Sequence, residues 1–253
     1  MPLSANCALV GGVPIHAISL PAVLEYTVAR VVSHAPFGLI ATVNLDFLRI
    51  ARRDAAFRAI LQRGTLLNVA DGWPVKWLAQ RSGHQTHRTT GSDLVPAMLR
   101  DPVIGSSGIF LLGDTDSTLA AVRSRGAREN WGTAIAGTRS PAADEIYDPQ
   151  RSSELVREIN ASGAGVLFVA LGAPRQEQWM DRWREHLRPA VGIGVGAALR
   201  FLANPESRAP GWTQSLGLEW AHRLGREPRR LGVRYAADAV EFGRLVLTGR
   251  PRE

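Results

Sequence analysis

The chain has 253 residues and a mass of 27.4 kDa, 45% hydrophobic and 21% charged, enough to bury one large α/β core or two small ones. No apolar run approaches the ~18 residues that span a bilayer. No basic flank precedes an apolar signal core, and the single cysteine, Cys7, excludes an internal disulfide and a cysteine-cluster metal site, so a cytoplasmic protein is expected. Net charge is +7 at a sequence pI near 10.8, nearly all of it arginine, which suits nucleic acid, an anionic membrane surface or a phosphorylated substrate. From Arg208 to Glu253 nine arginines stand against five acids, so +4 of that charge lies in the last fifth of the chain.

Residues 8–15 (ALVGGVPI) read as a short strand pair, and 20–33 as an amphipathic helix. Residues 38–43 (GLIATV) are an apolar run of the buried parallel kind, leading through Thr42-Val43-Asn44 into a helix expected over 47–62. Thr42 and Asn44 alternate onto one side at that strand's end, where they meet a ligand or cap the next helix. The strand at 66–70 turns at once through Asp71-Gly72-Trp73-Pro74. Ligands of parallel α/β proteins collect where strands end in such turns. A carboxylate followed by a permissive glycine and a rigid proline is held in place. Asp71 is therefore the first candidate for a working residue; the competing reading makes it a cap for a helix over 74–81.

His84 and His87 are three apart in the polar loop beyond, but without a carboxylate–histidine constellation no metal site is expected there. Thr89-Thr90-Gly91-Ser92-Asp93 either cradles a phosphate at the start of a helix or caps that helix. After the buried strand 108–113 (GIFLLG), Asp114-Thr115-Asp116-Ser117 opens a helix over 118–130. Asp-x-Asp suits a divalent cation under a diphosphate, yet capping explains both acids and is the expectation. Residues 133–147 read as a connector and 149–162 as a helix. The strand at 165–171 (GVLFVAL) ends in Gly172-Ala173-Pro174, which places Arg175, Gln176 and Glu177 on a first helical turn at a strand's carboxyl end.

A last strand over 189–195 runs into Gly196-Ala197-Ala198 and a helix to Ala203; the Gly192-x-Gly194-x-Gly196 spacing is no dinucleotide fingerprint. Repeated strand–helix units imply a Rossmann-like α/β fold, a mainly parallel sheet with helices on both faces. Residues 204–211 (NPESRAPG) mark a composition break, dividing a core over 1–204 from a basic helical appendage over 205–253. There Trp212, Leu216, Trp220 and Leu224 recur every fourth residue, and Leu231, Tyr235, Asp238, Phe242 and Leu245 make a second stripe. Arg223, Arg226, Arg229, Arg230 and Arg234 lie among them. Tryptophans and arginines on short helices describe an element lying in a membrane interface. A helical hairpin packed on the core and a protein interface are the alternatives.

Thr42-Val43-Asn44, Ala70-Asp71-Gly72-Trp73-Pro74-Val75, Thr90-Gly91-Ser92-Asp93-Leu94, Leu171-Gly172-Ala173-Pro174-Arg175-Gln176-Glu177 and Gly194-Val195-Gly196-Ala197 together resemble the WecG/TagA/CpsF glycosyltransferases. RAPGW and GLEWAHRLGREPRRLGVRY in the tail match as well. The resemblance implies a membrane-associated inverting transferase on the cytoplasmic face, acting in surface-polymer assembly. It would move a sugar from a UDP donor to a polyprenyl-diphosphate-linked sugar, with no metal and no other cofactor. The resemblance puts the base on Asp71 and polar pocket residues on Thr42, Asn44 and Gln176. Lipid-diphosphate arginines fall on Arg223, Arg230 and Arg234. Gly172, Arg175, Glu177 and Gly196 are expected around the donor, and Trp212, Trp220 and Arg229 at the acceptor and an anionic inner-membrane surface.

The chain departs from the family at one point. Where the family usually has Phe-Asp-Phe/Tyr, this chain has Leu199-Arg200-Phe201. An acceptor of hydrogen bonds from a ribose or base has become a fixed cation and donor. Either the uridine is held differently, or Arg200 reads an anion such as a diphosphate or a uronate carboxylate. UDP-N-acetylmannosamine, UDP-glucose and UDP-glucuronate are the donors in view, and an oligomer is compatible with the sequence. The rival readings are a nucleic-acid-binding α/β module using the basic tail, though no known nucleic-acid motif is present, and an inactive nucleotide-binding scaffold.

Overall fold

The computed structural model describes residues 6–207, 219–226 and 228–248. Trp212 lies outside the described residues, as do the side chains of Arg223 and Arg230. A hairpin of β1 (Cys7–Val10) and β2 (Val13–His16) opens the chain. Helix α1 (Leu20–Val32) leads to β3 (Gly38–Val43), and α2 (Leu45–Arg53) with α3 (Ala55–Ala59) leads to β4 (Thr65–Ala70). Then come α4 (Trp73–Arg81), α5 (Gly91–Arg100), α6 (Pro102–Ser106) and β5 (Ile109–Gly113). Next are α7 (Asp116–Arg128), β6 (Ile135–Arg139), α8 (Ala143–Tyr147), α9 (Pro149–Ala161) and β7 (Val166–Ala170). The core ends with α10 (Arg175–Trp183), β8 (Val191–Gly194) and α11 (Ala198–Ala203); the tail adds α12 (Glu219–Arg226) and α13 (Pro228–Thr248).

Two elements differ from the sequence reading. The helix expected over 47–62 breaks at Asp54, whose carboxylate accepts the Phe57 amide at 3.0 Å and so caps a second helix. A wide turn over Ile60–Gly64 then replaces the last expected turn. The connector expected over 133–147 contains β6 and α8. As the edge strand of the sheet, β6 is only half-buried, so it lacks the apolar run that marks the inner strands.

The six-stranded sheet is parallel throughout, in the order β4-β3-β8-β7-β5-β6. One face is covered by Val23, Leu94, Met98, Leu119 and Leu199, carried on α1, α5, α7 and α11. The other is covered by Phe47, Leu48, Leu155, Ile159 and Met180, carried on α2, α9 and α10. Neighbouring β3 and β8 therefore hand the chain to opposite faces and part at their carboxyl ends. That divergence is the crevice where ligands of doubly wound sheets bind. Across it the Thr42 hydroxyl donates to the Gly194 carbonyl at 3.0 Å.

The appendage is built onto the same core. Leu245 of α13 is buried in the cluster that holds Ala8, Val10 and Phe57. Phe242 stacks at 5.4 Å from Trp73 and 5.6 Å from Trp77. Two ion pairs tie α13 to α2: Arg49 Nε to Asp238 at 3.4 Å and Arg52 Nε to Glu241 at 2.9 Å, with Arg244 also on Glu241. The four charged residues of α13 between 231 and 247, Arg234, Asp238, Glu241 and Arg244, are all buried or half-buried. Val233, Val240 and Leu247 are 81%, 75% and 79% exposed, so the outward face of this helix is apolar. Among the described residues no helix is long and apolar enough to cross a membrane.

Candidate active site

Two clefts meet at the carboxyl edge of the sheet. The larger, about 540 Å³, lies over the crevice and is lined by Thr42, Gly91, Ser92, Asp114, Gly172, Arg175, Gln176, Gly196 and Arg200. The smaller, about 320 Å³, lies between α4 and the tail and is walled by Trp73, Pro74, Trp220, Tyr235, Ala239 and Phe242. The larger falls within the ~300–1,000 Å³ usual for a small-molecule site. Asn44, Asp46, Asp71 and Arg234 line both clefts, so the two cavities share a wall and two acids.

Asp71 is fixed from both sides. Its amide donates to the Val43 carbonyl at 2.8 Å, pinning it to the end of β3. The next residue, Gly72, has φ +99°, a conformation that a side chain would strain, and it turns the chain sharply into α4. The N-cap position of α4 falls on Gly72, which has no side chain to cap with. Asp71 thus stands one residue before the N-cap position of α4. Asn44 caps α2, its Oδ1 accepting the Phe47 amide at 3.3 Å, and it also lines both clefts. The same holds for the threonine loop. Thr90 caps α5 and exchanges hydrogen bonds with Asp93, leaving Gly91 and Ser92 on the cleft wall.

Sequence reasoning did not single out Arg88, Asp46 or Asp238 as site residues. A parallel bridge between Ala70 and Arg88, with the Thr89 amide on the Ala70 carbonyl at 2.9 Å, carries Arg88 into the smaller cleft. There it lies 3.5 Å from the Asp93 carboxylate. Asp46 is paired with Arg49 on its own helix, and Arg49 reaches on to Asp238. Burial, and then the nearby Asp46, push the Asp238 carboxyl up to about 6, against the pull of Arg234 and Arg49. No spacing rule places these residues at the clefts, because α13, the Ala70–Arg88 bridge and the cleft walls are brought together by the tertiary fold.

On α10, Gln176 lines the larger cleft, accepts the Gly172 amide at 3.1 Å and donates to Glu177 Oε1 at 2.7 Å. Arg175 reaches back to the Leu171 carbonyl at 2.8 Å. Glu177, expected near a donor, instead points into the core and does not line the cleft. It packs with Gln176 over Gly194, where a Cβ would run into both side chains. Burial pushes its carboxyl from the ordinary 4.5 to about 8, and its Oε2 has no partner among the described residues.

This shift has a signed consequence. Between pH 4.5 and 8 the unfolded chain ionises Glu177 while the native protein keeps it protonated. Native stability therefore falls as pH rises through that window, by about 1.4 kcal/mol per pH unit at most. Glu177→Gln should remove the slope, melting several degrees above the parent at pH 8 and close to it at pH 4.5. Thermal melts at both values check this. A variant that melts lower at pH 8 would show the acid to be ionised in the native state.

The expectation for Asp114 and Asp116 holds in part: both sit at the start of α7, and Asp114 Oδ1 accepts the Thr115 amide at 2.9 Å. The cap of α7 is Thr115, whose hydroxyl accepts the Thr118 amide at 3.2 Å. Asp116 sits in the first turn, but Asp114 takes the Arg200 Nε at 2.8 Å. Among the described residues no three His, Cys, Asp or Glu side chains converge as a metal-binding set. In the tail, Arg234 has its guanidinium 5.1 Å from the Tyr235 ring centre and a buried Nε without a partner among the described residues. Trp220 meets Tyr235 edge-on at 6.3 Å. Arg229 is exposed and lines neither cleft.

Fold and geometry define a doubly wound, parallel α/β protein with a polar cleft at the switch between β3 and β8. Residues 8–253 match the Glycosyl transferase WecG/TagA/CpsF family, and the chain belongs to it. It is a glycosyltransferase by family.

Proposed function

We propose that the protein is an inverting glycosyltransferase that moves a sugar from a UDP-sugar to a polyprenyl-diphosphate-linked saccharide in bacterial exopolysaccharide, capsule or wall-polymer synthesis. The observation that carries this reading is the position of Asp71 on the wall shared by two clefts. A polar cleft over the crevice takes the nucleotide sugar, with Thr42, Asn44 and Gln176 around the sugar and Gly172, Gly196 and Arg175 along the donor. An aromatic cleft takes the acceptor. Asp71 removes the proton from the acceptor hydroxyl as it attacks the anomeric carbon from the face opposite the leaving UDP. One displacement inverts the anomeric centre, and a positioned base contributes ~10²–10⁴-fold. Arginines and backbone amides stabilise the diphosphate as its charge grows, so the reading requires no metal.

The acceptor's lipid places the enzyme on the cytoplasmic face of the membrane as a peripheral protein. Supporting this are the apolar outward face of α13 and the exposed Arg229 beside it. Apolar burial and ~1 kcal/mol per cation near an anionic leaflet together hold a peripheral protein where neither suffices. Incubation with a panel of UDP-sugars, anionic vesicles and a polyprenyl-diphosphate saccharide tests the whole reading. One donor should support transfer, with product of inverted configuration and activity persisting in excess EDTA. Changing Val233, Val240 and Leu247 together to serine should cut vesicle partitioning by roughly tenfold or more. Turnover of a short, water-soluble acceptor should stay within about twofold. Unchanged partitioning would make this face a protein interface. Salt-sensitive nucleic-acid binding without transfer from any UDP-sugar would favour the nucleic-acid module instead.

A further inference from the structure

Arg200 stands on α11 above the larger cleft, and its side chain is 58% exposed. Its Nε donates to Asp114 Oδ2 at 2.8 Å, while among the described residues neither terminal nitrogen has a partner. The Asp114 side chain is 1% exposed and firmly built in. Its Oδ1 accepts the Thr115 amide at 2.9 Å and the Thr118 hydroxyl at 3.0 Å, and its carbonyl accepts the Ser140 hydroxyl at 2.7 Å. Its φ of +61° is rare for a residue with a side chain. The loop thus holds Oδ1 and the backbone, and Oδ2 is left to face Arg200. The pair ties a solvent-facing guanidinium over the cleft to a buried carboxylate.

What the pair achieves is orientation. A carboxylate on Nε fixes the plane of the guanidinium and leaves open the edge that binds two oxygens of a phosphate or carboxylate. We propose that Arg200, oriented by Asp114, is an oxyanion-binding residue of the donor cleft, with Asp114 as its positioning residue. The oxyanion is the donor's diphosphate or the carboxylate of a uronate sugar. This rests on the reading of the larger cleft as the donor site, and it gives an ordering role to the acid that sequence reasoning treats as a cap.

Calorimetric titration of the full chain with inorganic pyrophosphate, UDP, uridine, UDP-glucose and UDP-glucuronate tests it, with Arg200→Gln, Arg200→Lys and Asp114→Asn beside the parent. Arg200→Gln, which keeps a side-chain donor for Asp114, should stay folded and bind pyrophosphate and UDP about ten- to a hundredfold more weakly, with uridine changed less than about twofold. Arg200→Lys should recover part of the loss. Asp114→Asn, where folded, should lose less than Arg200→Gln and in the same order of ligands. A loss confined to UDP-glucuronate would place the oxyanion on the sugar and uphold the site. Parent protein that binds pyrophosphate through Arg200 but no uridine compound would sink the UDP reading and keep the site. Equal affinities of parent and Arg200→Gln for every ligand would overturn the proposal.

Discussion

Asp71→Asn is expected to lower turnover by about two to four decades while leaving the melting temperature and UDP affinity near those of the parent. The range is that for a lost general base. The fold should survive because Asp71 is held by its backbone: its amide bond to Val43 and the glycine turn after it are untouched by the substitution. Asparagine is nearly isosteric but cannot accept the acceptor's proton, so the loss should appear in kcat rather than in the KM for donor. Steady-state kinetics with vesicle-borne acceptor check this. Turnover within a few-fold of the parent would move the base elsewhere, and Asp46, which lines the same two clefts, would be the next to test.

Arg234→Ala should cost about one to two decades in transfer to a lipid-diphosphate acceptor while vesicle association remains intact. Among the tail arginines expected at the lipid diphosphate, Arg234 is the one whose described side chain lines both clefts. Its buried Nε, without a partner among the described residues, suits an anion arriving from the acceptor side. A charge-assisted hydrogen bond contributes roughly 1.5–3 kcal/mol, which is one to two factors of ten in rate if made in the transition state. Arg234→Lys keeps the charge but loses the planar fork, so partial recovery is expected. A transfer rate within twofold of the parent, measured with the same vesicles, would reduce Arg234 to packing against Tyr235.

Much of this protein is legible from local pattern. Buried parallel strands announce themselves as apolar runs, and a helix of either face repeats its apolar residues at a fixed period, because each depends on neighbours a few positions away. The inner strands, most helices and the Asp71 turn follow from that. Where local rules compete, the sequence misleads: Asp54 could continue a helix or cap a new one, and β6 at the sheet edge needs no apolar run. The sequence also fails to choose between capping and ligand binding at Asn44, Thr90 and Asp114, since either use demands the same short polar side chains.

Which residues face one cleft is set by pairings across the chain. Strand order β4-β3-β8-β7-β5-β6 is not chain order, and it alone sets Gly194 beside Thr42. The same order brings Arg200 to Asp114, and a bridge along β4 brings Arg88 to the end of that strand. The tail shows the division most plainly. Its sequence determines amphipathic helices rich in arginine, but a helical stripe does not say which surface it meets. Only the fold decides that Asp238 and Glu241 turn inward to Arg49 and Arg52, because buried carboxylates need partners and α2 supplies them, leaving Val233, Val240 and Leu247 outside.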